Sequence, residues 1–266
     1  MNKSMRFTYT IQFIVFATCL LLLCVVEVQN IRSYTISSNY QITVLEYIYA
    51  NLSSGANISY SAILFMLFLG DLDLWRTPYK QFGDTQVIRN LIICFIKSFI
   101  MVALIAVFTC ISSLQFARKG NGWSELALIS EGLIERTVVP LYIITNTNPV
   151  EAALVAFLIV FLFFFSSALF HSIMVQLKVP YLGIMVYVAA VEWNSIWLGE
   201  YIPPWVAVRY YTLNALLTNT QKGNELFSIF RGVQYSLIFL VAMLIISCVV
   251  TRHMQKTTPT ALQNND

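Results

Sequence analysis

Charge is scarce in this chain: Asp, Glu, Lys and Arg make up only 11% of the 266 residues, against about a quarter in an ordinary soluble domain. That shortage excludes a solvent-covered globule. With 58% hydrophobic residues and a mean hydropathy of +0.71, the chain reads as an all-α integral membrane protein. The formal net charge is only +3 and no Lys/Arg run alternates with aromatics, so no nucleic-acid partner is expected. Histidine is nearly missing. His171 and His253 cannot make an H-E-x-x-H pair, and neither a metal nor a catalytic residue is assigned. G-x-S-x-G and G-x-x-x-x-G-K-[ST] are both absent, which argues against a serine nucleophile, an enzyme, or a nucleotide-binding loop within the chain. The five cysteines, Cys19, Cys24, Cys94, Cys110 and Cys248, fall inside apolar runs rather than in loops. They read as small buried hydrophobes, not as a disulfide framework or metal cluster.

What is present is long apolar runs. The clearest, residues 152–176, holds 25 residues without a formal charge, rich in phenylalanine and interrupted only by His171. At ~1.5 Å per residue such a helix more than crosses the ~30 Å hydrocarbon layer. Uncharged windows of this kind predict six spans, at about 7–28, 58–75, 91–114, 152–176, 179–198 and 232–251. The second is weakest, because its purely apolar part, 58–70, has to extend through Asp71 and Asp73. Lys3 and Arg6 ahead of an apolar run ending at Cys24 resemble a secretory or lipoprotein leader. No small residues stand just before Cys24 and no A-x-A site follows, so the run is read as a retained first helix. One transmembrane domain, 1–254, is therefore expected, with a disordered cytoplasmic tail at 255–266.

Orientation follows from the basic residues. Six spans put both termini on one side. If that side is cytoplasmic it holds Lys3, Arg6, Arg76, Lys80, Arg89, Lys97, Lys178, Arg252 and Lys256. Arg32, Arg118, Lys119, Arg136, Arg209, Lys222 and Arg231 then lie outside, in much longer segments, so both termini are expected to be cytoplasmic. Inside, only 76–90 exceeds a tight turn, so the fourth and fifth spans, joined at Leu177, Lys178, Val179 and Pro180, must be antiparallel neighbours.

Polar residues at membrane depth are functional-site candidates by default. Glu192, with Asn194 beside it, either lines a translocation path or reaches the outer interface next to Trp193 and Trp197. His171 lies near the inner end of the fourth span and is read as a packing residue or a path residue. Lys97 can snorkel to the inner face, and Ser166 and Ser167 allow close helix packing. In the inner segment Trp75, Tyr79 and Phe82 follow i, i+4, i+7 spacing among Arg76, Lys80 and Asp84. That spacing predicts a short amphipathic helix along the inner membrane face, serving as an interfacial anchor, a protein-docking element, or both. On the outside, Pro203 and Pro204 break the fifth helix, and the apolar stretch from Trp205 either re-enters the bilayer or lies along it. Asn51-Leu-Ser53 and Asn57-Ile-Ser59 fit the N-glycosylation sequon.

Taken together, the charged aromatic segment LDLWRTPYKQFGDTQVIRN, the inner hairpin LKVP and the outer segment YIPPWVAVRYYTL resemble the small six-span membrane subunit of an ABC-2-type exporter. The resemblance covers the whole length but rests on patterns, not a signature motif. It implies that Trp75, Arg76, Tyr79, Lys80, Phe82 and Asp84 form a coupling helix for a separate ATPase subunit, that Lys178 is a second inner contact, and that Pro203, Pro204 and Trp205 mark a re-entrant outer segment. It further implies a homodimer or a heterodimer with a related subunit, ATP bound only by the partner, and an amphiphilic cargo such as a peptide, lipid or drug-like molecule. A multi-pass protein of a bacterial cytoplasmic membrane is then expected. The long 115–151 segment, the short second span and Glu192 depart from the pattern. An ion-coupled transporter or channel, resting mainly on Glu192, and a non-transporting membrane scaffold are the alternatives.

Overall fold

The structure is a computed structural model that describes residues 3–36, 41–74, 84–124, 148–196 and 229–257. Among the described residues seven helices form in order: α1 Lys3–Ile36, α2 Val44–Ser53, α3 Gly55–Leu74, α4 Asp84–Ser113, α5 Pro149–Gln176, α6 Pro180–Ile196 and α7 Ile229–Thr257. No named strand occurs among the described residues, and the only bridge there is an isolated one between Thr43 and Arg118.

Among the described residues three helices are long and apolar enough to cross a membrane, through Thr10–Ser33, Ile88–Ser113 and Pro149–Gln176. The other three expected spans fall on α3, α6 and α7, whose apolar stretches Asn57–Phe68, Pro180–Ala189 and Leu240–Val250 are shorter. In α3 the cause is visible in sequence, since the helix continues past its apolar part into Asp71 and Asp73. α1, α5 and α7 also overrun their hydropathy windows: α1 spans 34 residues, about 51 Å at ~1.5 Å per residue.

Side-chain pairings fix how the helices run. Phe16 of α1 stacks on Phe68 of α3 at 4.4 Å between ring centroids, and Cys24 of α1 points its thiol at the Ile105 carbonyl of α4, 3.9 Å away. Further along, Arg32 lies over the ring of Phe116, just past the end of α4, at 3.7 Å. Numbers rise together on α1 and α4, so these two are parallel. Cys94 of α4 meets the Ala168 carbonyl of α5 at 3.7 Å while Phe99 meets Phe157, which makes α4 and α5 antiparallel. Tyr187 of α6 contacts Ser167 and Phe170 of α5, and Gly183 lies against Met174, so α5 and α6 are antiparallel too. α1, α4 and α6 therefore run one way, α3 and α5 the other.

α5 is the centre of the bundle. It packs on α7, α4, α2, α3 and α6, and 67% of its apolar window is buried against 22% for α1 and 28% for α4. That difference decides where its phenylalanines go: Phe161, Phe163 and Phe164 are buried against neighbouring helices rather than lipid. Phe164 meets Phe65 of α3 edge-on at 5.2 Å and Phe161 meets Phe95 of α4 at 5.0 Å, geometries that satisfy the ring quadrupoles.

Candidate functional site

The antiparallel arrangement gives the bundle two chemically different ends. One carries the connection between α5 and α6, here called the hairpin end. Leu177, Lys178 and Val179 make it, and its hydrogen bonds are those of a Schellman motif: Val179 N–H donates to the Met174 carbonyl at 3.0 Å and Lys178 N–H to the Val175 carbonyl at 3.0 Å. The left-handed position of that motif, usually glycine, is filled by Lys178 at φ 62, a strained conformation for a residue with a Cβ. Lys178 is exposed. One turn into α6, Gly183 has no side chain because a Cβ there would overlap the Met174 side chain, so it permits the close start of the hairpin.

α3 ends and α4 begins at this same end, since Phe68 lies by Phe16 and Cys94 lies by Ala168. The connection between Leu74 and Asp84 is thereby attached to the face that bears Lys178. Trp75, Arg76, Tyr79, Lys80 and Phe82 lie outside the described residues; Asp84 is the first residue of α4. The expected inner amphipathic helix thus also lies outside the described residues.

At the opposite end the chain builds a buried polar network that the sequence reading did not single out. α2 starts with a capping box: Glu46 N–H donates to Thr43 Oγ1 at 3.4 Å, and Thr43 N–H donates back to Glu46 Oε2 at 2.6 Å. The Thr43 hydroxyl donates to the same oxygen at 2.9 Å. The other carboxylate oxygen, Oε1, accepts Ser124 N–H at 3.0 Å and the Ser124 hydroxyl at 2.7 Å. Glu46 is only 1% exposed, and four donors are what make a carboxylate tolerable there. Arg118 N–H donates to the Ile42 carbonyl at 2.9 Å beside it, so the segments before α2 and after α4 are fastened together.

Deeper in the bundle, Asn51 Nδ2 donates to Thr109 Oγ1 at 2.5 Å, Asn57 Nδ2 donates to Asn51 Oδ1, and Thr109 Oγ1 donates to the Ile105 carbonyl at 2.7 Å. Thr109 sits four residues inside the apolar window of α4, about 6 Å below its end. Burial of Tyr49 on the non-spanning α2 pushes its phenol well above the usual range, opposed by Ser53. Asn51 and Asn57 are 0% and 4% exposed. The two sequons are therefore closed to a glycosyltransferase in the folded chain, and their amides act as interhelical polar contacts.

His171 is buried in α5 at 2% exposure, one turn from Ser167, which shares a 2.7 Å hydrogen bond with Tyr187 of α6. Glu192 and Asn194 lie on the last turns of α6, their side chains outside the described residues; Pro203, Pro204 and Trp205 lie outside them altogether. The geometry thus brings Lys178, the end of α3 and the start of α4 to one end of the bundle, and leaves His171 inside the helix pack. The five cysteines are free thiols, with Cys24 and Cys94 buried. Among the described residues no three His, Cys, Asp or Glu side chains gather to hold a metal. No family model, no curated protein and no solved structure matches the chain.

Proposed function

We propose that this chain is the membrane-spanning subunit of an ATP-driven ABC-2-type exporter. In this reading it sits in a bacterial cytoplasmic membrane with α1, α3, α4, α5, α6 and α7 as six spans and both termini in the cytoplasm. Two such subunits enclose a path for an amphiphilic cargo, and a separate ATPase subunit supplies the energy.

The observation that carries the reading is that the helix ends flanking the two connections the resemblance assigns to coupling lie at one end of the bundle. Leu74, Asp84 and the Lys178 turn all belong to the hairpin end. A partner docked there pushes on α3, α4, α5 and α6 at once. Close packing of α5 against those three helices then conveys the push through the membrane as rigid-body movement, because a packed core does not deform continuously. Arg89 and Lys97 of α4 and the exposed Lys178 give that end the positive charge that a cytoplasmic face retains.

The test is purification of the full chain in detergent with ATP-binding proteins of its host that carry G-x-x-x-x-G-K-[ST]. One of them is expected to copurify, and the joint substitution of Trp75→Ala and Arg76→Ala to abolish that association while the helical content stays unchanged. If no ATP-binding protein copurifies from membranes that express both, the reading fails.

A further inference from the structure

Between α1 and α3 lies a groove of about 380 Å³ that the exporter reading does not use. Cys19, Leu23 and Val26 of α1 and Tyr60, Ile63 and Leu64 of α3 line it. Its volume is within the range of small-molecule sites, ~300–1,000 Å³. Cys19 to Val26 lie in the middle of the Thr10–Ser33 apolar window, so the groove is at hydrocarbon depth if α1 spans the bilayer. The groove is open to the side: Leu22 and Val26 are 58% and 56% exposed and Tyr60 is 53% exposed at its rim.

The polarity along the groove changes in one direction. Cys19, Leu22, Leu23 and Val26 form one i, i+3, i+4, i+7 stripe of α1, and the same stripe continues through Gln29, Asn30 and Ser33. These last three are exposed, and the Ser33 hydroxyl donates to the Asn30 carbonyl at 2.7 Å. An apolar slot in the bilayer therefore leads, one to two turns on, to amide and hydroxyl groups at the end of the apolar window, with the Tyr60 phenol on the facing helix. That is the polarity profile of a bilayer lipid: acyl chain, then ester carbonyls, then headgroup.

We infer that the α1/α3 groove is a lipid site, holding one acyl chain of a bilayer phospholipid between Cys19 and Tyr60 while Gln29, Asn30 and Ser33 meet its glycerol-ester and headgroup region. The hydrophobic effect does not hold the chain, because lipid tails are as apolar as the groove walls. What retains it is dispersion: an unfilled slot leaves its lining without partner atoms on one side, and a chain restores those contacts. The interfacial polar groups add hydrogen bonds that a bulk lipid neighbour lacks. The inference does not depend on the exporter reading.

Native mass spectrometry of the full chain, released from detergent micelles at increasing collision energy, tests it. The wild-type chain is expected to keep one phospholipid per chain after the remaining lipids are stripped. Ile63→Trp, which fills the groove with an indole, is expected to lose that lipid at least tenfold more readily, and the triple substitution of Gln29, Asn30 and Ser33 to Ala several-fold more readily. Because Ile63→Trp could disturb folding, thiol labelling supplies a second readout in the otherwise unchanged sequence of Cys110→Ser/Cys248→Ser. There Cys19 is expected to react with maleimide at least fivefold faster after delipidation and to slow again when phospholipid is returned. Equal lipid retention by wild type and Ile63→Trp, or a Cys19 rate indifferent to lipid, overturns the inference. So does a lipid-free wild-type dimer that Ile63→Trp makes monomeric, since the occupant is then a second copy of the chain.

Discussion

Lys178 and Glu46 do opposite things with their local environment. Lys178 occupies a left-handed position at φ 62, which costs an L-residue roughly 1–2 kcal/mol relative to glycine. Lys178→Gly is therefore expected to raise unfolding stability by about 1 kcal/mol, partly offset by the greater backbone freedom of glycine when unfolded. Thermal or denaturant unfolding in detergent would read it; a loss of stability would show that the Lys178 side chain itself supports the turn. Glu46 gathers four donors from Thr43 and Ser124. Glu46→Ala leaves buried N–H groups without an acceptor and is expected to cost on the order of 3 kcal/mol. Glu46→Gln keeps one acceptor oxygen and costs less; equal losses for the two would count against the clamp. Half of this arrangement was legible in sequence, since Thr43-x-x-Glu46 is a capping-box signature. Its other half was not, because Ser124 lies 78 positions away and no local pattern links the two.

At the scale of elements, each of the six hydropathy windows falls on a helix, because long apolar runs without charge have few other stable forms, and among the described residues three of these, α1, α4 and α5, are long and apolar enough to cross a membrane. It overlooked α2, whose ten residues are embedded in a polar connection and whose partners, α4 and α5, come later in the chain. The same blind spot affected Asn51 and Asn57. Their spacing to Ser53 and Ser59 fits a sequon, yet their amides bond each other and Thr109. Expression in a glycosylating host is expected to give folded chain with no glycan at either position, read as an unchanged mass after glycosidase treatment. Glycan on folded, monodisperse protein would contradict the buried placement. The α5/α6 hairpin, by contrast, could be read directly from the LKVP link, and its close start rests on Gly183 against Met174. Gly183→Val is expected to destabilise by about 1–3 kcal/mol through overpacking, less if the flexible Met174 side chain gives way, as measured by the unfolding midpoint. Why residues 152–176 needed no charge also becomes clear at this scale: most of α5 is covered by other helices, which bury Phe161, Phe163 and Phe164.

For the molecule as a whole, the alternating helices separate a hairpin end, with Lys178 and the attachments of the 75–83 connection, from an end closed by the Glu46 and Asn51 contacts. The proposed orientation has a direct consequence. Cysteines placed at Lys178 and Lys80 are expected to react with a membrane-impermeant maleimide from the cytoplasmic side only, and one at the exposed Lys119 from the outside only. Labelling of positions 178 and 119 from the same side would rule out the alternating spans. The central claim is that force from a separate ATPase enters at the hairpin end, and cross-linking from position 178 in native membranes tests it most directly. With Lys178→Cys carrying a short bifunctional reagent, the expected product joins this chain to an ATP-binding protein with G-x-x-x-x-G-K-[ST], and Trp75→Ala with Arg76→Ala abolishes it. A cross-linked product containing no ATP-binding protein, with both chains expressed and position 178 fully labelled, would contradict the claim.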